Sequence, residues 1–401
     1  MNCKKLIIAK LEAWRVEVPL LEEWAASPEY GDHRRSPDRL ILRLEDSEGY
    51  EGYGEGRVYA TGGHPANSGD RFASEGLQDV LRKFLATPVD AIRSSCLDLH
   101  PSPTYWQLPL PPSPYTPELG NLFSRIRHPL QTAVESAWLD LIARRAGVPM
   151  SQLFGGPWRD RVATDYWMGR VTPEHARRCA VRGKSLGFAG IKLKTILEDP
   201  NAARLEAIRD AAGPDFHVTV DPNERFYRLD DALPTITAMD SVGNMRILED
   251  PFPRFRLEEF AALRPRIRAR VVLHVDPPES LHNVIAARAA GGLNMDSHTQ
   301  GMFAWRQSAA TAEAANLPVW HGSGLDLGLS TAAQLHLCAA TPNCQLPGDQ
   351  SGPWLREATL VKEKFTVENG QVLVPPGPGH GVTFDADAAE RYTLEHFTLD
   401  A

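Results

Sequence analysis

The chain lacks cysteines at metal or redox spacing: Cys3, Cys96, Cys179, Cys338 and Cys344 are scattered, with no CxxC pair and no Cys/His run. That argues against structural zinc and a disulfide framework, and fits a reducing cytoplasm. No apolar run approaches the length needed to span a bilayer, and the stretch after Lys4 and Lys5 is too short and too interrupted for a secretory signal. The expectation is a cytoplasmic protein with no membrane partner. No basic cluster is present, and a net charge of −8 opposes the phosphate neutralisation on which nucleic-acid binding depends. The partner left by these exclusions is a small molecule.

What is present is a long chain of ordinary globular texture. Its 401 residues, 42% apolar and 23% charged, exceed what one core usually supports and predict either a large barrel-type domain with a smaller companion or two ordinary domains. Residues 6–18 and 40–45 alternate as strands do, before a Gly-rich turn at 49–56. A polar loop at 24–37 lies between them. Residues 71–147 read as mainly helical, interrupted by the Pro-rich stretch 101–117. Beyond residue 160, β-rich runs at 162–166, 190–194, 216–221, 245–249, 271–276, 293–296 and 317–321 alternate with helical stretches. This is the rhythm of parallel α/β architecture, and seven units in series favour a closed barrel. The tail after about 350 loses the rhythm and carries a hairpin signal around Asn369 and Gly370.

Side chains alternate along a strand, so in a barrel one set faces the helices and the other the interior. With Ile191 and Leu193 outward, Lys192 and Lys194 point in; with Val218 and Val220 outward, His217, Thr219 and Asp221 point in. The same reading sends His274 and Asp276, then Asn294 and Asp296, inward, and adds Glu249 from a run whose alternation is less regular. Several carboxylates converging at one barrel mouth need a cation, because unpaired buried charge costs several kcal/mol per ion. Oxygen ligands on rigid strand ends point to one Mg2+ held by Asp221, Glu249 and Asp276. A lysine beside such a cation is disfavoured in its charged form, which makes Lys194 a candidate base.

These residues resemble the mandelate racemase and muconate-lactonizing branch of the enolase superfamily. The resemblance runs through residues 52–55, 137–140, 147–149, 153–156, 192–194, 220–223, 248–251, 275–276, Asp296 with Gly301, and 332–343. It implies an α/β fold: a (β/α)7β TIM-type barrel with an α+β capping domain formed by the N-terminal part and the C-terminal tail. The implied boundaries are 1–130 for the cap, 131–350 for the barrel and 351–401 for the returning segment. It further implies a homo-oligomer, a Mg2+ that grips a substrate carboxylate and stabilises the enediolate left by proton loss, and roles for single residues. Lys194 is the base on one face, with Lys192 its electrostatic neighbour; Asn223 and Asp326 contact substrate. Asp296 stands where muconate-lactonizing relatives carry a second lysine and racemase relatives an aspartate that orients a histidine, for which His321 is the candidate.

Two departures leave alternatives open. Residues 320–326 resemble the muconate-lactonizing segment, with Asp326 where those relatives place a glutamate, so the acid on the second face is undecided. The usual Asp-Glu pair is absent at Asp276, leaving Glu279 as an alternative ligand, and Asp349 is the candidate eighth-strand acid. His274 and His298 read as structural or substrate-lining, and Trp24, Tyr30, Arg34 and Arg35 as possible substrate contacts. The expected activity is racemisation, epimerisation or dehydration of a hydroxy acid or acid sugar. Muconate-type cycloisomerisation, or epimerisation of an acylamino acid or dipeptide, is the alternative. A catalytically silent binding barrel is the non-enzymatic one.

Overall fold

The structure is a computed structural model that describes residues 6–25, 38–57, 74–92, 130–275 and 279–401. Asp276, Tyr30, Arg34 and Arg35 lie outside the described residues, as does the side chain of Glu279. Two sheets organise the chain. The first is antiparallel, in the order β14 (Thr393–Asp400), β1 (Ile8–Val16), β2 (Arg39–Asp46), β3 (Glu51–Arg57). The end of the chain therefore pairs with its beginning, from Lys10 opposite Asp400 to Val16 opposite Thr393. The helix Leu130–Ala146 lies across this sheet, and the approach explains two glycines of β3: a Cβ on Gly52 or Gly54 would collide with the backbone at Ala137 or Ala133. Thr132 at its other side hydrogen-bonds the Ser297 carbonyl at 2.7 Å, so this helix lies at the seam between the antiparallel sheet and the barrel.

The second sheet has seven parallel strands in sequential order: β5 (Tyr166–Met168), β6 (Gly190–Lys194), β7 (His217–Asp221), β8 (Met245–Glu249), β9 (Arg270–His274), β10 (Gly292–Met295) and β11 (Val319–His321). Residues 344–349 fill the remaining stave. Cys344 bridges Val319 on one side and Gly348 bridges Thr164 on the other, both in the parallel sense, which closes the ring. The expected barrel is thus present, with two local differences. The run at 162–166 is split: β4 (Arg161–Ala163) pairs antiparallel with the hairpin of β12 (Val367–Glu368) and β13 (Gln371–Leu373), and only β5 enters the barrel. The hairpin turns through left-handed Asn369 (φ 52°) and Gly370 (φ 73°), as its sequence predicts, yet it packs beside the barrel start and not in the antiparallel sheet.

The outward residues Ile191, Leu193, Val218, Val220, Leu273, Leu293 and Met295 are buried in the main hydrophobic core under the helices. Inside the ring a separate apolar layer of Ile247, Val272 and Trp320 underlies the charged layer at the strand ends. This resolves the irregular run in β8, where Ile247 faces in and Leu248 faces out. Burying each such aliphatic side chain contributes about 1.5–3 kcal/mol. Among the described residues no helix is long and apolar enough to cross a membrane.

Candidate active site

The site forms because five strand ends carry short-range register from an apolar core. Lys194 and Asp221 are direct neighbours in the β6/β7 ladder, as are Lys192 and Thr219. The Lys194 ammonium contacts Asp221 Oδ2. Lys192 is 2% exposed and its Nζ lies 2.6 Å from Glu249, 2.7 Å from Asp349 and 3.2 Å from Asp221. Burial works against the charge of Lys192, but Asp349, Glu249 and Asp221 outweigh it and hold the ammonium well above its ordinary pKa. Asp221 is the converse: burial opposes its charge, while Lys194 and Lys192 hold it below the usual carboxylate range. Burial pushes Glu249 up, and the like charge of Asp221 adds to that.

Loop backbone after the strands aims further groups at this mouth. Asn223 is left-handed (φ 47°) and its N–H donates to Asp221 Oδ1 at 2.9 Å. Asp250, also left-handed (φ 41°), accepts the His274 N–H at 2.8 Å. Short polar side chains tolerate this conformation better than others do. Asn294 donates to Glu249 Oε1 at 2.6 Å and fixes the carboxylate from two strands away. Among the described residues, ligand atoms of Glu249, Asp250 and His274 lie within 4.8 Å of one another. Two acids and an imidazole so placed could hold a divalent cation. Asp250 and His274 are donors beyond the expected trio. Asp349, noted in the sequence as an uncertain acid, belongs to this cluster through Lys192.

The second face differs from expectation. His321 is fully buried and stacked on Trp305 at 5.3 Å. Its Nε2 accepts from Ser297 N–H (3.3 Å) and lies 2.9 Å from Ser297 Oγ, so Nδ1 carries the proton and donates to the Gly322 carbonyl. Burial lowers its pKa to about 4, leaving it neutral near pH 7. No hydrogen bond joins it to Asp296, and the expected dyad is not formed. The physical reason is a cation the sequence reading did not weigh. Arg57, the last residue of β3, reaches from the antiparallel sheet into the barrel mouth, with NH1 2.8 Å from Asp296 and Nε 3.3 Å from Asp326. Burial opposes the Arg57 charge, and the two aspartates overcome it. Arg39 adds a second buried guanidinium, 3.1 Å from Asp326. A Cβ on Gly324 would lie 2.8 Å from the Arg57 guanidinium, so glycine there makes room for it.

The histidine that meets an aspartate here is His298. Its Nε2 lies 3.5 Å from Asp326, and its backbone N–H donates to Asp296 Oδ1 at 2.9 Å. Both Arg57 and His298 left a trace in the sequence: Arg57 shares a strand face with Glu55, and His298 follows Asp296 at the start of a helical turn. Neither trace carried a partner, because the partners come from distant segments.

The family profile for enolase C-terminal domain-like proteins matches residues 174–388, just over half of the chain. The chain belongs to this family. Muconate cycloisomerase 1 of Rhodococcus opacus is 26% identical over 366 residues, covering 88% of this chain and 90% of that protein. D-Ala-D/L-Ala epimerase of Cytophaga hutchinsonii is 26% identical over 393 residues, covering 95% and 97%. The crystal structure of N-succinyl Arg/Lys racemase from Bacillus cereus superposes with a TM-score of 0.78 at 17% identity, over 99% of this chain and all of that one. The enolase-superfamily chain is thus an enzyme, an isomerase or lyase of the proton-abstracting type, in a family whose members generally bind Mg2+.

Proposed function

We propose that the enzyme removes the proton α to a small carboxylate in a Mg2+-dependent reaction, as a racemase or epimerase, or as a dehydratase, of a hydroxy acid or acid sugar. The observation that carries this reading is Lys194 at the end of β6, against Asp221 and beside the Lys192, Glu249 and Asp349 cluster. Asp221, Glu249 and Asp276 would hold the ion, with Asp250 and His274 next to it. When bound, the metal stabilises the negative charge that proton loss leaves on the substrate carboxylate. Lys194 takes the proton from one face. Lys192, held charged by three acids, attracts the carboxylate and disfavours a second positive charge on Lys194. Asn223 and Asp326 line the substrate.

On the other face the sequence analysis placed Asp296 and His321. The geometry supports His298, its ring beside Asp326, as the proton-carrying group, with Arg57 compensating Asp326 and Asp296. Return of a proton to carbon gives the epimer; delivery to a β-hydroxyl gives loss of water. Both begin with the step at Lys194. Muconate-type cycloisomerisation, or epimerisation of an acylamino acid or dipeptide, is a second reading, supported by the matches to the Rhodococcus cycloisomerase and the Cytophaga epimerase. The same proposal divides the chain into a cap (1–130 with 351–401) and a barrel (131–350), and places a homo-oligomer in the cytoplasm. Incubating a library of hydroxy acids, acid sugars, muconates and acylamino acids with enzyme and Mg2+, and following optical rotation, water loss and lactone formation separately, tests the assignment. Turnover of muconates alone would overturn the first reading.

A further inference from the structure

We propose that the opposite, N-terminal mouth of the barrel is a second binding site, for a small multivalent oxyanion. A cavity of about 460 Å³ opens there, lined by the starts of β7, β8 and β9 and by residues 345–347. Its volume falls within the range of about 300–1,000 Å³ typical of small-molecule sites. Lys194, Asp221 and Glu249 are the last residues of their strands, whereas His217 and Arg270 are the first of theirs and Arg246 the second. The two sites lie at opposite ends of the barrel.

The lining is cationic. Arg246, Arg268, Arg270 and His217 face the cavity, and Asp240 is its one acid. Asp240 is consumed by the chain turn above it: its oxygens accept from Ala269 N–H at 3.0 Å, Arg268 N–H at 3.1 Å and Arg268 Nε at 3.3 Å. Arg270 spends one nitrogen on the Gly291 carbonyl at 2.6 Å. Among the described residues neither Arg246 nor Arg270 has a carboxylate partner. The guanidinium fork matches the paired oxygens of carboxylate and phosphate groups, so two such forks around one cavity select an ion with more than one anionic group.

His217 is built into the floor. Its Nε2 lies 2.7 Å from Asp165, whose other oxygen accepts from Thr219 Oγ1 at 2.7 Å. Gly190 gives the ring its place, since any Cβ there would collide with it. Burial works against protonation of His217, but Asp165 outweighs it and raises its pKa. The barrel floor thus presents an imidazole whose orientation is fixed before a ligand arrives.

Calorimetric titration of the Mg2+-loaded enzyme with inorganic phosphate and, separately, with tricarballylate at constant ionic strength tests this site. One anion per chain is expected to bind, at least tenfold more weakly in the Arg246→Ala/Arg270→Ala double variant and with unchanged affinity in Lys194→Ala. Whichever probe binds identifies phosphate or polycarboxylate as the preferred class. Should the double variant fail to fold, the single Arg246→Ala, an exposed residue, is expected to weaken binding at least threefold. Absence of binding by both probes, or binding unaffected by the arginine substitutions, would overturn the proposal.

Discussion

At the scale of single residues, the two lysines of β6 differ in role because they differ in partners. Lys192 sits among three acids and stays charged; Lys194 meets Asp221 and is 15% exposed at the mouth, where a substrate can reach it. Their inward direction was legible from Ile191 and Leu193, because strand alternation needs no knowledge of the partner strand. The inward direction of Asp221 was legible for the same reason, that of Glu249 less so because its run alternates less regularly. The Asp296–His321 pair was not, because a guanidinium from a strand about 240 positions away captures Asp296. Two outcomes follow. Arg57→Gln leaves Asp296 and Asp326 buried without the guanidinium that bridges them and is expected to cost about 3–5 kcal/mol, read as a lowered melting temperature and denaturant midpoint. An Arg57→Gln protein as stable as the parent would contradict the electrostatic account of the second face. His298→Asn is expected to lower turnover by about 10²-fold or more with little change in melting temperature, and His321→Asn to do the reverse. Kinetics and thermal melts on both variants check the exchange of roles.

Elements set the second scale. The strands of the barrel were readable because each pairs an apolar outward face with a polar inward one; β8 was less so because Ile247 and Leu248 are both apolar and face opposite ways. The splitting of the first run into β4 and β5 was hidden, since it depends on a hairpin some 200 residues later pairing with Arg161–Ala163. The loop after β6 carries its own ionic lock. Asp199 accepts from Arg170 at 2.7 Å and from the buried Arg204 at 2.9 Å, tying that loop to the helix Asn201–Ala212. Burial alone would raise the Asp199 pKa, but the two guanidinium groups lower it. A folded value below the unfolded one, about 3.9, stabilises the protein above that pH, and this contribution is lost as pH falls through the folded value. Thermal melts between pH 3 and pH 6 should therefore show a steeper acid loss in the parent than in Asp199→Asn. Parallel curves would refute the lock.

For the whole molecule, the chain termini meet in one antiparallel sheet, and the last turn of that sheet, Glu55 and Arg57, is wedged into the barrel mouth. Glu55 accepts the N–H groups of Leu327 (2.7 Å) and Ser330 (2.8 Å) at the start of the helix Gly328–Ala339. Cap and barrel are thereby joined by buried charge at the mouth of the barrel, so a cation bound by the acid cluster should be felt as global stability. Mg2+ at 100 times its dissociation constant is expected to add about 2.7 kcal/mol, reversed by chelator. An Asp221→Asn/Glu249→Gln double variant should show no Mg2+-dependent rise in melting temperature.

The central claim is that Lys194 removes a proton next to a carboxylate. Its most direct test is hydrogen–deuterium exchange at the α carbon of candidate acids in deuterated water with Mg2+, followed by NMR for the parent and Lys194→Ala. Enzyme-dependent exchange of at least one acid, reduced by about 10²–10⁴-fold in Lys194→Ala, is the predicted result. Exchange that survives the substitution undiminished would contradict the claim.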